Sequence, residues 1–123
     1  MYRLKVIDQF SSAHQLKGYR GECEELHGHN WKVEVFVEGE KLDSVGLLID
    51  FKELKKLIRT ITGELDHRFL NAMEPFKKSN PSSELISKHI YSELKNKLPS
   101  GVSLDSVAVW ESETACAVYS EKT

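Results

Sequence analysis

Three groups of side chains in this sequence could do chemistry. The first is the run CEELHGHNW, Cys23 to Trp31, in which two histidines sit one residue apart with a cysteine four positions before the first. On an extended chain, residues two apart point the same way, so His27 and His29 share a face, and Trp31 and Val33 continue it. Gly28 between them lets backbone or a ligand come close. His14, in FSSAHQL, ends an earlier strand-like region. If the two strands pair antiparallel, the end of one meets the start of the other, and His14 arrives beside His27 and His29. Three imidazoles without a fourth protein ligand suit a catalytic zinc, which keeps one position for water or substrate. The competing reading is three hydrogen-bonded core or rim histidines.

The second group is the dipeptide Asp66-His67 in ELDHRFLN. A carboxylate that orients an imidazole tunes it for proton transfer. Adjacent residues need not face one another, however, and a solvated surface pair fits the spacing as well. Cys23 could act as a thiolate near a metal or a protonated histidine, or be an inert buried thiol. The third group is Glu111. It continues the face of Val107 and Val109, where a carboxylate is costly unless paired. A heterocycle with two parallel N–H donors would satisfy it in bidentate fashion, and the competing reading is a solvated residue past the last strand pair. His89 falls beside a helical apolar stripe and Cys116 in an apolar strand, so both read as structural.

The elements that must position these groups follow from periodicity. YRLKV, 2–6, alternates as a half-buried strand. WKVEVFVEG places Trp31, Val33, Val35 and Val37 on one face, with Lys32, Glu34 and Glu38 opposite. Leu54, Leu57, Ile58 and Ile61 mark a helix that Asp50 can cap, with Glu53 three residues on, and that Gly63 can end. Ile86, Ile90 and Leu94 mark a second helix, with Asn80 as cap, Pro81 at its first position and Pro99 ending it. LDSVAVW and ACAVY are the last two strands, joined by a polar turn near Ser112 to Thr114. The order β-β-α-α-β-β implies an α+β fold, an antiparallel sheet with the helices on one face.

Bulk properties narrow the class. The chain has 123 residues, which suggests a single domain, 1–123, of a size that often gains stability by oligomerising. It is 40% hydrophobic and 29% charged with a formal net charge of −2, so no basic excess points to nucleic acid. No apolar run approaches membrane-spanning length, no leader-like segment opens the chain, and the expected compartment is the cytoplasm. Two cysteines make no disulfide framework.

Taken together, FSSAH, CEELHGHNW, GLLIDF, LDHRFLN, NPSSE and VWES resemble the 6-pyruvoyltetrahydropterin synthase family over nearly the whole chain. They are most similar to its bacterial branch that makes 6-carboxy-5,6,7,8-tetrahydropterin for queuosine biosynthesis, where three residues also stand between Cys and HGH, here Glu24, Glu25 and Leu26. The resemblance implies a tunnelling fold, with a four-stranded antiparallel sheet, two helices on one side, and subunits joined into a hexamer of two trimers with active sites at their contacts. It implies zinc on His14, His27 and His29, Cys23 as catalytic cysteine, and Asp66 and His67 as a catalytic pair reaching the site from a neighbouring subunit. Glu111 would anchor the pterin's 2-amino and ring N–H edge. The implied substrate is 7,8-dihydroneopterin triphosphate, and the products are 6-carboxytetrahydropterin, acetaldehyde and triphosphate. Lys17 and Arg20 are candidates near the triphosphate by position alone. Glu24 and Glu25 leave room for the branch of the family that acts in folate synthesis with a glutamate near the cysteine position. The pyruvoyl branch of the family, and a non-catalytic zinc- or pterin-binding module, are the rival readings.

Overall fold

In the computed structural model, which describes residues 1–18 and 25–121, two long strands form the spine. β1 (Tyr2–His14) and β2 (His27–Gly39) pair antiparallel along their whole length, from Tyr2 opposite Gly39 to His14 opposite His27. Both run further than the alternating apolar stretches alone suggest, because the polar ends FSSAH and HGHN keep the ladder. β3 (Ser103–Trp110) pairs antiparallel with β2, and β4 (Cys116–Tyr119) with β3, giving the sheet order β1-β2-β3-β4.

α1 (Phe51–Leu65) and α2 (Ser83–Leu94) follow β2 and precede β3, with two short 3₁₀ turns between them. This is the expected β-β-α-α-β-β order. The helices cover the sheet face that carries Val6, Phe10, Trp31, Val33, Val35, Val37, Val107 and Val109, all buried. From α1 they add Leu54, Ile58, Ile61 and Leu65, and from α2 Ile86, Ile90 and Leu94. Each such side chain taken out of water contributes about 1.5–3 kcal/mol before entropy is counted.

Asp50 caps α1 as expected, its side chain accepting from the Lys52 amide. Gly63, however, does not end the helix. α1 runs through it to Leu65 and stops because Asp66 is extended and His67 takes a left-handed φ of 55°. Asn80 does not cap α2 either. Ser82 does so, accepting from the Leu85 amide. The Asn80 side chain is spent elsewhere, bonding both the amide and the carbonyl of Lys17. Pro81 accordingly lies before the cap, and α2 ends at Leu94, well ahead of Pro99, whose carbonyl closes a turn with the Val102 amide. Among the described residues, no helix is long and apolar enough to cross a membrane.

Candidate metal centre and acid–base pair

The β1–β2 register decides the geometry. His14 stands opposite His27 and Ser12 opposite His29, at the open end of the ladder. Below them lies Trp31, fully buried, stacked on Phe10 and meeting the rings of His14 and His29 edge-on at 4.9 and 5.1 Å. Its indole N–H donates to the Ser12 carbonyl at 3.2 Å, which ties this floor to β1.

Two of the imidazoles have their orientation fixed from behind. Nδ1 of His14 is 2.8 Å from the Pro81 carbonyl, and Nδ1 of His27 is 2.7 Å from the Glu25 carbonyl. A carbonyl only accepts, so each Nδ1 carries a proton, and in the neutral ring Nε2 is then the atom with the lone pair. Those two Nε2 atoms face each other at 2.9 Å. With both as lone pairs this contact is repulsive, and a cation between them would relieve it. Nε2 of His29 is buried and has no aligned hydrogen-bond partner. Burial, opposed by the nearby Glu111 carboxylate, holds the His29 imidazole below its usual pKa and favours the neutral, ligating form.

Glu111 enters the same space. Its Oε1 lies 2.9 Å from Nε2 of His29, 3.4 Å from that of His14 and 3.9 Å from that of His27. His14, His27, His29 and Glu111 thus offer four donor atoms within 4.8 Å of one another. Glu111 was expected on this face but not as a fourth donor; the structure adds it as one. Three converging imidazole Nε2 atoms, two of them on rings whose Nδ1 is already bonded to a carbonyl, fit a zinc ion.

Asp66 and His67 sit at a different place, on the outer edge of β1. Asp66 Oδ1 accepts from the Ser11 amide at 2.8 Å, and Oδ2 is 3.0 Å from Nδ1 of His67. The His67 amide returns to the Ser11 carbonyl at 2.6 Å, and the Ala13 amide bonds the Arg68 carbonyl at 2.9 Å. The dipeptide therefore continues the ladder as a cap on the sheet edge. This forces the left-handed backbone at His67, a conformation that costs a non-glycine residue roughly 1–3 kcal/mol. The Ser11 amide above all, then His67 and Arg59, hold the Asp66 carboxyl below its usual range. The His67 side chain is 83% exposed, whereas that of His14 is 1% exposed. A surface hollow of about 570 Å³ is lined by both His29 and His67, together with Ser11, Gly28, Asn30 and Arg68.

The structure thus brings His14, His27, His29 and Glu111 together and pairs Asp66 with His67. Cys23 and Arg20 lie outside the described residues. A Cβ at Gly28 would meet only the Ser12 carbonyl, at 4.0 Å, so the packing of this chain does not require glycine there. His89 is half-buried with its ring edge-on to Phe76, as a structural histidine should be. Sequence reasoning missed the Pro81 and Glu25 carbonyls that fix two imidazoles, since backbone acceptors leave no signature in side-chain types. It also missed Arg59, which reads as an ordinary solvent-facing helix residue.

Comparison with known proteins identifies the family and the fold. A family model described as 6-pyruvoyl tetrahydropterin synthase matches residues 3–122. A dihydroneopterin monophosphate aldolase of Pyrococcus furiosus is 40% identical, with 83% of this chain and 82% of that protein covered. The 6-carboxy-5,6,7,8-tetrahydropterin synthase of Bacillus subtilis is 33% identical over 98% of this chain and 86% of its own. The structure of Caenorhabditis elegans 6-pyruvoyl tetrahydropterin synthase superposes with a TM-score of 0.83 at 26% identity, covering 98% of this chain and 96% of that one. The chain has the tunnelling fold and belongs to the 6-pyruvoyl tetrahydropterin synthase family.

Proposed function

We propose that the chain, acting as one domain over 1–123, is a zinc-dependent lyase of the 6-carboxy-5,6,7,8-tetrahydropterin synthase type. With one molecule of water it converts 7,8-dihydroneopterin triphosphate to 6-carboxytetrahydropterin, acetaldehyde and triphosphate, a step toward queuosine in the cytoplasm. The observation that carries this reading is the convergence of three imidazole Nε2 atoms, two with Nδ1 spent on carbonyls, in a member of this family. Similarity across almost the full chain to the Bacillus subtilis synthase supports the branch.

His14, His27 and His29 would hold the metal, and a zinc bound there supplies Lewis acidity toward an oxygen of the substrate side chain. Cys23 and the Asp66–His67 pair move protons between side chain and ring. Asp66 accepts from Nδ1 of His67, which leaves Nε2 of that exposed ring to take or give the proton. Glu111 anchors the pterin's N–H edge. Its contact with His29 supports an anchor beside the metal ligands, which would hold the reacting side chain near them. β1 and β4 are the outer strands of the sheet, with β1 covered at Ser11 and Ala13 by the 67–69 segment, and the remaining edge suits closure with further copies into a hexamer of two trimers. His67, exposed on the β1 edge, would then serve the site of a neighbour.

A second reading is favoured by the Pyrococcus furiosus relative: aldol cleavage of a dihydroneopterin phosphate. Anaerobic incubation of zinc-loaded protein with 7,8-dihydroneopterin triphosphate and, in parallel, with 7,8-dihydroneopterin monophosphate, with mass spectrometry and aldehyde trapping, separates the two. Acetaldehyde with a carboxytetrahydropterin supports the proposal. A hydroxymethyl pterin with a phosphorylated two-carbon aldehyde moves the chain to the aldolase branch, a pyruvoyl product moves it to that branch, and zinc binding without turnover leaves a binding module.

A further inference from the structure

The Asp66–His67 pair is not held by β1 alone. Arg59, on the exposed side of α1, reaches across to it. One end of its guanidinium, Nη1, donates to the Gln9 carbonyl at 3.0 Å and to Asp8 Oδ1 at 3.2 Å. The other end, Nη2, lies 3.7 Å from Asp66 Oδ2, the same oxygen that faces Nδ1 of His67. Asp8 is itself a fixed post. Its Oδ1 accepts from the Gln9 amide at 2.7 Å, and its Oδ2 from the hydroxyl of Thr62, a fully buried residue of α1, at 2.8 Å. A hollow of about 400 Å³ is lined by Asp8, Ser11, Asn30, Arg59, Asp66 and His67.

We propose that Arg59 is a positioning residue for the Asp66–His67 pair: it braces the Asp66 carboxylate against Asp8 so that one oxygen stays on the Ser11 amide and the other on Nδ1 of His67. The inference rests on the acid–base role given above to Asp66 and His67. As a stabilising ion pair Arg59 has little to offer, since its side chain is 53% exposed and such pairs are screened. Its geometry is the informative part. A planar guanidinium presents donors at two separate ends and can hold two carboxylates in a fixed geometry, whereas a lysine ammonium offers all its donors from one point. The charged and titratable groups paired with Asp66 are Arg59 from α1 and His67 beside it, while Asp8 from β1 holds the other end of the same guanidinium. The cation therefore ties the Asp66 carboxylate to a post on β1. Without it Asp66 is free to turn away from Ser11, and the imidazole loses its orienting acceptor.

The test uses full-length zinc-loaded protein and the variants Arg59→Met, Arg59→Lys and His67→Ala. Amide hydrogen exchange reads the brace directly. The Ser11 amide is protected by the Asp66 side chain, whereas its neighbour, the Ala13 amide, is protected by the Arg68 carbonyl. In Arg59→Met, Ser11 exchanges several-fold faster while Ala13 keeps its rate, the Asp66 carboxyl titrates at higher pH, and zinc content is unchanged. With 7,8-dihydroneopterin triphosphate, kcat falls about tenfold with KM within about twofold, less than removal of the acid–base group itself would cost, and Arg59→Lys recovers part of it. Unchanged Ser11 exchange in Arg59→Met overturns the proposal. So does a full kcat in Arg59→Met when His67→Ala is impaired. If His67→Ala turns over normally, the acid–base reading falls, and Ser11 exchange alone then decides whether Arg59 braces Asp66.

Discussion

The two ends of this site are built on opposite principles. The histidine end is assembled inside the sheet: His14 is almost wholly buried, its Nδ1 is spent on a carbonyl from before α2, and a fully buried indole lies beneath it. The Asp66–His67 end lies on the sheet edge, held by two backbone bonds and a charged network, with its imidazole in solvent. A metal ligand set needs fixed lone pairs and protection from competing protons, which burial and carbonyl acceptors supply. A proton carrier needs access to the reacting atoms, and an exposed ring on an open edge can reach a site on another copy. The difference teaches how the proposed division of roles would be built: rigid where the metal would bind, accessible where the proton would move.

The largest expected effect comes from attacking the buried end. His14→Ala removes one Nε2 donor and leaves the Pro81 carbonyl without its N–H, a loss of about 1–3 kcal/mol where such a group is buried. Zinc measured by elemental analysis should fall to a small fraction of one per chain, turnover should vanish, and the midpoint of thermal unfolding should drop. A full zinc complement would break the ligand assignment. At the exposed end, His67→Ala should leave zinc content and the unfolding midpoint close to unchanged while lowering kcat by roughly 10²–10⁴-fold, the usual worth of a general acid or base. Cys23→Ala should behave in the same way. If either variant lost its metal, the division between the two ends would be wrong.

Glu111 sharpens the boundary between them. Glu111→Ala should weaken binding of a pterin ligand in a calorimetric titration by about tenfold or more while zinc stays bound. Zinc loss with unchanged pterin affinity would make Glu111 a metal ligand. The smallest effect is on acid stability. The Asp66 carboxyl titrates below its usual range in the fold, so it contributes stability that is full above the usual carboxylate pKa of about 4 and is lost as pH falls through its lowered value. Asp66→Asn should therefore unfold at more nearly the same denaturant concentration at acid and neutral pH than the parent protein does.

How much of this was legible in the sequence follows the same division. His14, His27 and His29 could be placed because strand periodicity is local and the antiparallel register then puts His14 opposite His27. The Asp66–His67 contact and the end of α1 could not be placed, since both depend on β1 taking up the backbone of residues far along the chain. Asn80 fits a helix cap on local grounds and loses that role to a distant backbone segment at Lys17. Glu111 was visible as a carboxylate on an apolar face, but its nearest partners, three imidazoles, come from two other strands.

One question decides whether the two ends belong to the same site in one chain or are completed between copies, because the hollow beside His29 also touches His67 within this chain. His14→Ala and His67→Ala can each be prepared, mixed under conditions that exchange subunits, supplied with zinc, and assayed on 7,8-dihydroneopterin triphosphate against the parent protein. A site completed between copies predicts that the mixture regains turnover that neither variant has alone, since some mixed sites combine intact histidines from one copy with an intact Asp66–His67 pair from its neighbour. A mixture as inactive as its components, with subunit exchange verified, would contradict it and assign the pair to the histidines of its own chain.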